Sequence, residues 1–393
     1  MLAYCSHTKG MKQDYQKESI KAHRRARGKV GVVSKLPLKN ARDLSLAYTP
    51  GVAGPALAIS KNKFLAYELT ATKNSVAVIS DGSAVLGLGN IGPEAALPIL
   101  EGKAAIFKEF AGIDAFPIAL GTQDVEEIIT TIKAIAPTFG AINLEDISAP
   151  RCFEIEERLK AELPIPVMHD DQHGTAVVVL AGLINALKVV KKKKDKVKIV
   201  LIGAGAAGSG IVRLLYTYGF KEMVVCDKNG AISKKRKDLN AAKKELLKIT
   251  NLKNVSGTLE EVLVGADCFI GVSQGNILNA KMVRSMSKDP IIFALANPLP
   301  EIMPDLAHKA GAAVVATGRS DFPNQVNNAL AYPGIFKGVL EARARAITDK
   351  MKIAAAEALA KVIKKPTRER IIADMFDKNV VKTVSRAVKK VVS

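Results

Sequence analysis

The chain has 393 residues, of which 48% are hydrophobic and 24% charged, with a formal net charge of +20. That length predicts two domains rather than one core, and that composition excludes a disordered chain. No apolar run reaches the ~18 residues of a spanning helix, so no membrane partner is expected. The first 17 residues carry no apolar segment with a small-residue cleavage site, and a cytoplasmic location is expected. Four scattered cysteines without CxxC spacing (Cys5, Cys152, Cys226, Cys268) read as reduced thiols. The charge excess clusters at Lys191 to Lys194 and at Lys234 to Lys237. With 12 Phe, 7 Tyr and no Trp, nothing interleaves with these clusters as a stacking platform would. They read as solvated faces, and no nucleic-acid partner is expected.

In chain order, the first 40 residues are basic and polar and predict one or two helices that cap the fold or mediate subunit contact. Residues 74–82 (NSVAVISDG) form a buried-strand pattern closed by a turn. After GLGNIGP, a helix is predicted from Pro93. IDAFPIAL and GAINLEDI are strand-like and DVEEIITTIKAIA is helical; FEIEERLKAEL then predicts a helix and IPVMHDD a strand. A long helix is expected from Thr175 to about Val190. Beyond it lie the strand patterns KIVLIG, MVVCD, CFIGV, IIFALAN and AVVATG, and from Gly338 a purely helical, basic tail. Strand and helix alternate, which implies α/β architecture. Two domains are expected, each a mostly parallel sheet flanked by helices, with a Rossmann dinucleotide-binding unit C-terminal. The boundaries fall at 1–30 (basic helical segment), 31–165 (substrate domain) and 166–393 (dinucleotide domain with helical tail).

The strand KVKIVLIG runs straight into Gly203-Ala204-Gly205-Ala206-Ala207-Gly208, and a helical segment follows. Gly203 permits the tight turn, Gly205 lets the backbone approach a pyrophosphate, and Gly208 allows close helix–strand packing. The helix N-terminus faces the phosphates with a partial positive charge. Nineteen residues after Gly208, MVVCD ends in Asp227, placed to accept from the adenosine ribose hydroxyls. Asp227 favours NAD over NADP, although Lys228, Lys234 and Lys235 could neutralise a 2′-phosphate; efficiency with NAD at least equal to NADP is expected. A second GxGxxG, at Gly87, Gly89 and Gly92, lacks the following strand and acid and reads as a closely packed turn.

Two acidic pairs end predicted strands: Glu145-Asp146 and Asp170-Asp171. Grouped carboxylates at the carboxyl ends of parallel strands repel unless a cation neutralises them, and oxygen ligands favour Mg²⁺ or Mn²⁺. Capping of the following helices is the plainer alternative for one member of each pair, Asp170 above all. His169 and His173 suggest zinc, but no further nitrogen or sulfur ligand stands nearby. Lys103, in an apolar helix, either snorkels to the surface or is buried beside a cation with a depressed pKa that makes it a base. Tyr48 lies in a Pro/Gly-rich loop, where a packing aromatic is the common case.

The segments at 46–55 (LAYTPGVAGP), 80–93, 101–118, 143–156, 169–176 (HDDQHGTA) and 296–301 (ANPLPE) together resemble the malic enzymes, in particular the short prokaryotic type. The resemblance implies Lys103 as the base for the malate hydroxyl and Tyr48 as the proton donor to the enol. It implies Glu145, Asp146 and Asp171 as metal ligands, and Asn297 and Asn328 as residues that bind substrate and nicotinamide. Oxidative decarboxylation of L-malate to pyruvate and CO₂ with reduction of NAD or NADP is then expected, oxaloacetate decarboxylation alongside it, and a homodimer. The chain departs from the longer eukaryotic members at residues 81–84, Asp-Gly-Ser-Ala, where they carry a carboxylate-gripping arginine. A metal-dependent dehydrogenase that does not decarboxylate is the nearest alternative, and a basic nucleic-acid-binding protein on a dehydrogenase scaffold the remote one.

Overall fold

A computed structural model describes residues 15–85 and 88–392. The N-terminal arm contains α1 (Tyr15–Ala26), α2 (Ala41–Ala47), α3 (Ala53–Lys61) and α4 (Ala66–Leu69), none with a buried residue. The first sheet follows. Its strands are β1 (Ser75–Ser80), β2 (Asp114–Ala119), β3 (Ala141–Leu144) and β4 (Val167–His169), interleaved with α5 (Pro93–Ile106), α6 (Val125–Ile135) and α7 (Arg151–Glu162). The order is β2-β1-β3-β4, all parallel. Connections leave β1 to opposite sides, so the carboxyl ends of β1 and β3 open a crevice.

The helix expected from Thr175 begins five residues earlier, as α8 (Asp170–Val190). Asp170 and Asp171 therefore sit on its first turn rather than at a strand end. Its apolar stretch has a mean hydropathy of 1.7 and is long enough to span a bilayer, contrary to the expectation that no segment qualifies, but 67% of it is buried inside the protein. It is the core helix on which both halves pack. Each fully buried Val or Leu along it contributes about 1.5–3 kcal/mol.

The second sheet has the order β10-β9-β8-β5-β6-β7. Its strands are β5 (Lys198–Ile202), β6 (Glu222–Asp227), β7 (Gly230–Ala231), β8 (Cys268–Gly271), β9 (Ile291–Ala294) and β10 (Val314–Thr317). All pairs are parallel except β6–β7, a two-residue strand that hydropathy did not reveal. Helix α9 (Ala206–Tyr218) follows β5, and the short α10 (Ala241–Leu246), α11 (Leu259–Leu263), α12 (Ala280–Ser285) and α13 (Pro304–Lys309) fill the remaining connections. The tail is not purely helical. It holds α14 (Tyr332–Glu341), α15 (Asp349–Val362) and α16 (Asn379–Lys390), with irregular chain over 363–378. Cys226 and Cys268 lie in strands and, like Cys152, are buried free thiols; burial pushes Cys152 and Cys226 up to about 12. Cys5 lies outside the described residues.

Candidate active site

The carboxyl ends of β3 and β4 and the first turn of α8 bring the predicted acids together. Ligand oxygens of Glu145, Asp146 and Asp171 lie within 4.8 Å of one another. Asp146 adopts a left-handed backbone (φ 53°), and its amide donates to Asp171 Oδ2 at 2.8 Å, tying the segment after β3 to the first turn of α8. Asn143 Nδ2 donates to Glu145 Oε2 at 3.0 Å and fixes that carboxylate. A hard-oxygen donor set of this span fits Mg²⁺ or Mn²⁺.

Lys103 does not snorkel. Its side chain is 8% exposed, its Nζ lies 2.8 Å from Glu145 Oε1, and it also contacts Asp170 Oδ2. Asp170 is thus the ion-pair partner of Lys103 and not a cap: α8 is preceded by His169 with no side-chain cap bond. The Tyr332 ring lies 4.4 Å from the ammonium, held edge-on by Phe107. Burial opposes the charge on Lys103, but the Asp170 and Glu145 carboxylates outweigh it and hold the ammonium well above its ordinary pKa. These carboxylates act in the direction opposite to the depression that a neighbouring cation would bring. Burial, with the carboxylates of Asp171, Asp170 and Asp146, raises Glu145 against the pull of Lys103, since one ammonium cannot balance so many acids.

Opposite this cluster stands the dinucleotide motif. Gly203 has φ 110°, and a Cβ at Gly208 would meet Gly203 O at 1.7 Å, so helix and strand touch only because glycine is there. A Cβ at Gly205 would meet nothing, which leaves its backbone face open to a ligand. A cavity of about 710 Å³ runs from Gly203 to Asp227, flanked by Thr258, Ser273 and Ile277, a size that suits a nucleoside. A second cleft of about 300 Å³ is shared by Asp171, Ala207, Ser273, Asn297 and Asn328. It brings Asp171, one of the clustered acids, to the same cleft as Asn297 and Asn328. Ala204 and Ala206 belong to the same glycine-rich turn and helix start.

Two predicted residues behave differently. Tyr48, the C-terminal cap of α2, is 66% exposed, and among the described residues no hydrogen bond or ring contact joins its side chain to Lys103. Asp227 is not free: Arg236 grips both its oxygens at 2.7 and 3.0 Å, and Lys243 binds at 2.6 Å. Burial would raise its pKa, but these bonds hold it below the ordinary value. Sequence pointed to Lys228, Lys234 and Lys235 instead. The second GxGxxG folds back on the Asp81–Ser83 turn, with Gly92 N–H donating to Gly82 O at 3.3 Å; Gly87 lies outside the described residues. At that turn, where the eukaryotic arginine is missing, Arg151 arrives from α7 and donates to Asp81 Oδ2 at 2.8 Å. Tyr332 carried no motif signal, and Asp170 and Arg151 lay in motifs that did not reveal their partners, because these contacts are tertiary.

Family models for the malic enzyme N-terminal domain and the malic enzyme NAD-binding domain match residues 27–160 and 172–392. The chain belongs to the malic enzyme family. It is 55% identical over 378 residues to the bifunctional malic/malolactic enzyme of Bacillus subtilis, covering 95% of this chain and 92% of that one. The NAD-dependent malic enzyme of Geobacillus stearothermophilus is 55% identical over 92% of this chain and 76% of its own length. The crystal structure of the NAD-dependent malic enzyme of Thermotoga maritima superposes with a TM-score of 0.91 at 52% identity, covering 94% and 98% of the two chains. As a malic enzyme, the protein is an oxidoreductase that decarboxylates malate oxidatively with NAD or NADP and a divalent metal.

Proposed function

We propose that malate is oxidised and decarboxylated in the cleft between Lys103 and Asn297, with the work divided among named side chains. The observation that carries this is the position of Lys103 Nζ, held between Glu145 and Asp170 beside the Glu145–Asp146–Asp171 cluster. Lys103 takes the C2 hydroxyl proton after its own ammonium has released one toward Asp170 Oδ2, the atom it already touches. A divalent cation held by Glu145, Asp146 and Asp171 supplies Lewis-acid polarisation of the C2 oxygen and charge that offsets the carboxylates raising the Lys103 pKa. The dinucleotide, seated along Gly203, Gly205 and Gly208 with its ribose at Asp227, supplies the hydride acceptor. Asn297 and Asn328 orient substrate and nicotinamide across the cleft. Tyr48 delivers the proton to C3 of enolpyruvate.

A homodimer is part of this reading, in the cytoplasm. The arm over 15–72 exposes Val32 at 93%, Phe64 at 80% and Leu46 at 67%, apolar side chains that a second copy of the chain would cover, which supports this reading. Its links to the rest of the chain are polar, including Lys29 N to Glu101 at 2.9 Å and Arg343 to Glu68 at 2.7 Å. Tyr48 rides on this arm and would join an active site only once a second copy packs against it.

With malate, NAD or NADP and Mn²⁺, reduced dinucleotide and CO₂ should form in equal amounts, and excess EDTA should abolish both. Asp171→Asn should raise the metal requirement sharply while dinucleotide affinity is kept. Full activity in EDTA would contradict the reading.

A further inference from the structure

The first turn of α8 carries both Asp170 and Asp171, yet the helix has no cap of its own. What holds that turn comes from α7. Glu156, 5% exposed, accepts from His169 N–H at 3.0 Å, from Gln172 Nε2 at 3.2 Å and from His173 Nε2 at 2.9 Å. Lys160 adds an ion pair at 2.6 Å. The chain of contacts continues outward: Lys352 Nζ on α15 donates to His173 Nδ1 at 3.1 Å and pairs with Asp349 at 2.6 Å. One carboxylate therefore binds three residues that flank Asp170 and Asp171 on both sides. His173, the residue that suggested zinc, has both ring nitrogens engaged here. Its Nε2–H donates to Glu156 and its Nδ1 accepts from Lys352.

We infer that Glu156 is a positioning residue for the metal site, acting through His169, Gln172 and His173. It caps α8 from outside and sets the direction in which Asp171 meets Asp146 and Asp170 meets Lys103. His173 and Lys352 complete the brace and tie the C-terminal helices to the same turn. Groups that orient metal ligands from the next layer out typically change metal affinity by about 10–100-fold. The inference rests on the assignment of the metal to Glu145, Asp146 and Asp171.

Glu156→Gln is close to isosteric, but it presents an amide N–H₂ to Gln172 or His173, so donor faces donor. The test is Mn²⁺ binding to the full-length protein, followed by the electron paramagnetic resonance of free Mn²⁺, with NADH affinity read separately by fluorescence. Glu156→Gln should raise the Mn²⁺ Kd by about 10-fold, and His173→Gln by at least about 3-fold. The NADH Kd should stay within about twofold in both, whereas a purely structural role would lower thermal stability and leave the Mn²⁺ Kd alone. If Glu156→Gln does not fold, His173→Gln decides. A wild-type Mn²⁺ Kd in a folded variant overturns the inference. Asp171→Asn serves as the reference: loss of Mn²⁺ binding there with none in Glu156→Gln defeats only the brace, while unchanged binding in Asp171→Asn defeats the metal assignment itself.

Discussion

At the scale of single residues, Asp227 illustrates how a motif is read correctly and incompletely. Its place after the glycines is fixed by chain spacing, but its charge is set by what reaches it. Arg236 spans both carboxylate oxygens and Lys243 occupies one of them again, so the repulsion expected toward a 2′-phosphate is largely cancelled. The same two cations adjoin the carboxylate proposed to meet the ribose. Arg236→Ala should therefore shift the ratio of kcat/KM for NAD over NADP toward NAD by about 10-fold or more, equivalent to about 1.4 kcal/mol. Steady-state kinetics with both dinucleotides measures it. An unchanged ratio would remove Arg236 from the choice between NAD and NADP.

At the scale of elements, most strands were legible because they are buried, β-branched runs bounded by turns; β1, β5 and β9 are buried along almost their whole length. The start of α8 was not, since Asp170 reads as a cap but lies inside the helix, paired with Lys103, and His169 N–H is instead accepted by Glu156 on another helix. β7 was missed because two residues hold no period. That Lys103, Glu145, Asp146 and Asp171 come together was legible through the acidic pairs and the family motifs, whereas the pairing of Asp170 with Lys103 was not, because the two lie 67 residues apart in sequence. A second element-level device pins β8 to β5. Asp267 accepts from Lys198 N–H at 2.9 Å, Lys192 Nζ at 2.7 Å and Ser287 Oγ at 2.6 Å. Burial alone would raise its pKa, but these donors outweigh it and hold Asp267 below the ordinary carboxylate value. A carboxylate depressed in the folded state contributes stability that is present above its unfolded pKa, about 3.9, and lost as pH falls through the folded value. Asp267→Asn should cost about 1.5–3 kcal/mol at pH 7, and the gap to wild type should narrow below about pH 4 in guanidinium unfolding. A constant gap at both pH values would remove Asp267 from the acid-sensitive groups.

At the scale of the whole molecule, two sheets, parallel but for β7, share one core helix, and the proposed reaction is divided between them. On the proposed reading the first sheet and the helices α5 and α8 carry Lys103 and the acids that would hold the metal, and the second sheet carries the glycine turn, Asp227 and Asn297. Oxidation of malate needs both halves at once. On the same reading, decarboxylation of added oxaloacetate would need the metal acids but not the base, because that substrate has no hydroxyl proton to lose and no hydride to give. The division makes Lys103→Ala, in a full-length protein shown by circular dichroism to be folded, the most direct test of the account. A positioned base is typically worth about 10²–10⁴-fold, so NADH formation from malate should fall by that factor, while Mn²⁺-dependent release of CO₂ from oxaloacetate stays within about 10-fold of wild type. A folded Lys103→Ala protein that oxidises malate at near the wild-type rate would contradict the account, and the base would then lie elsewhere in the cleft.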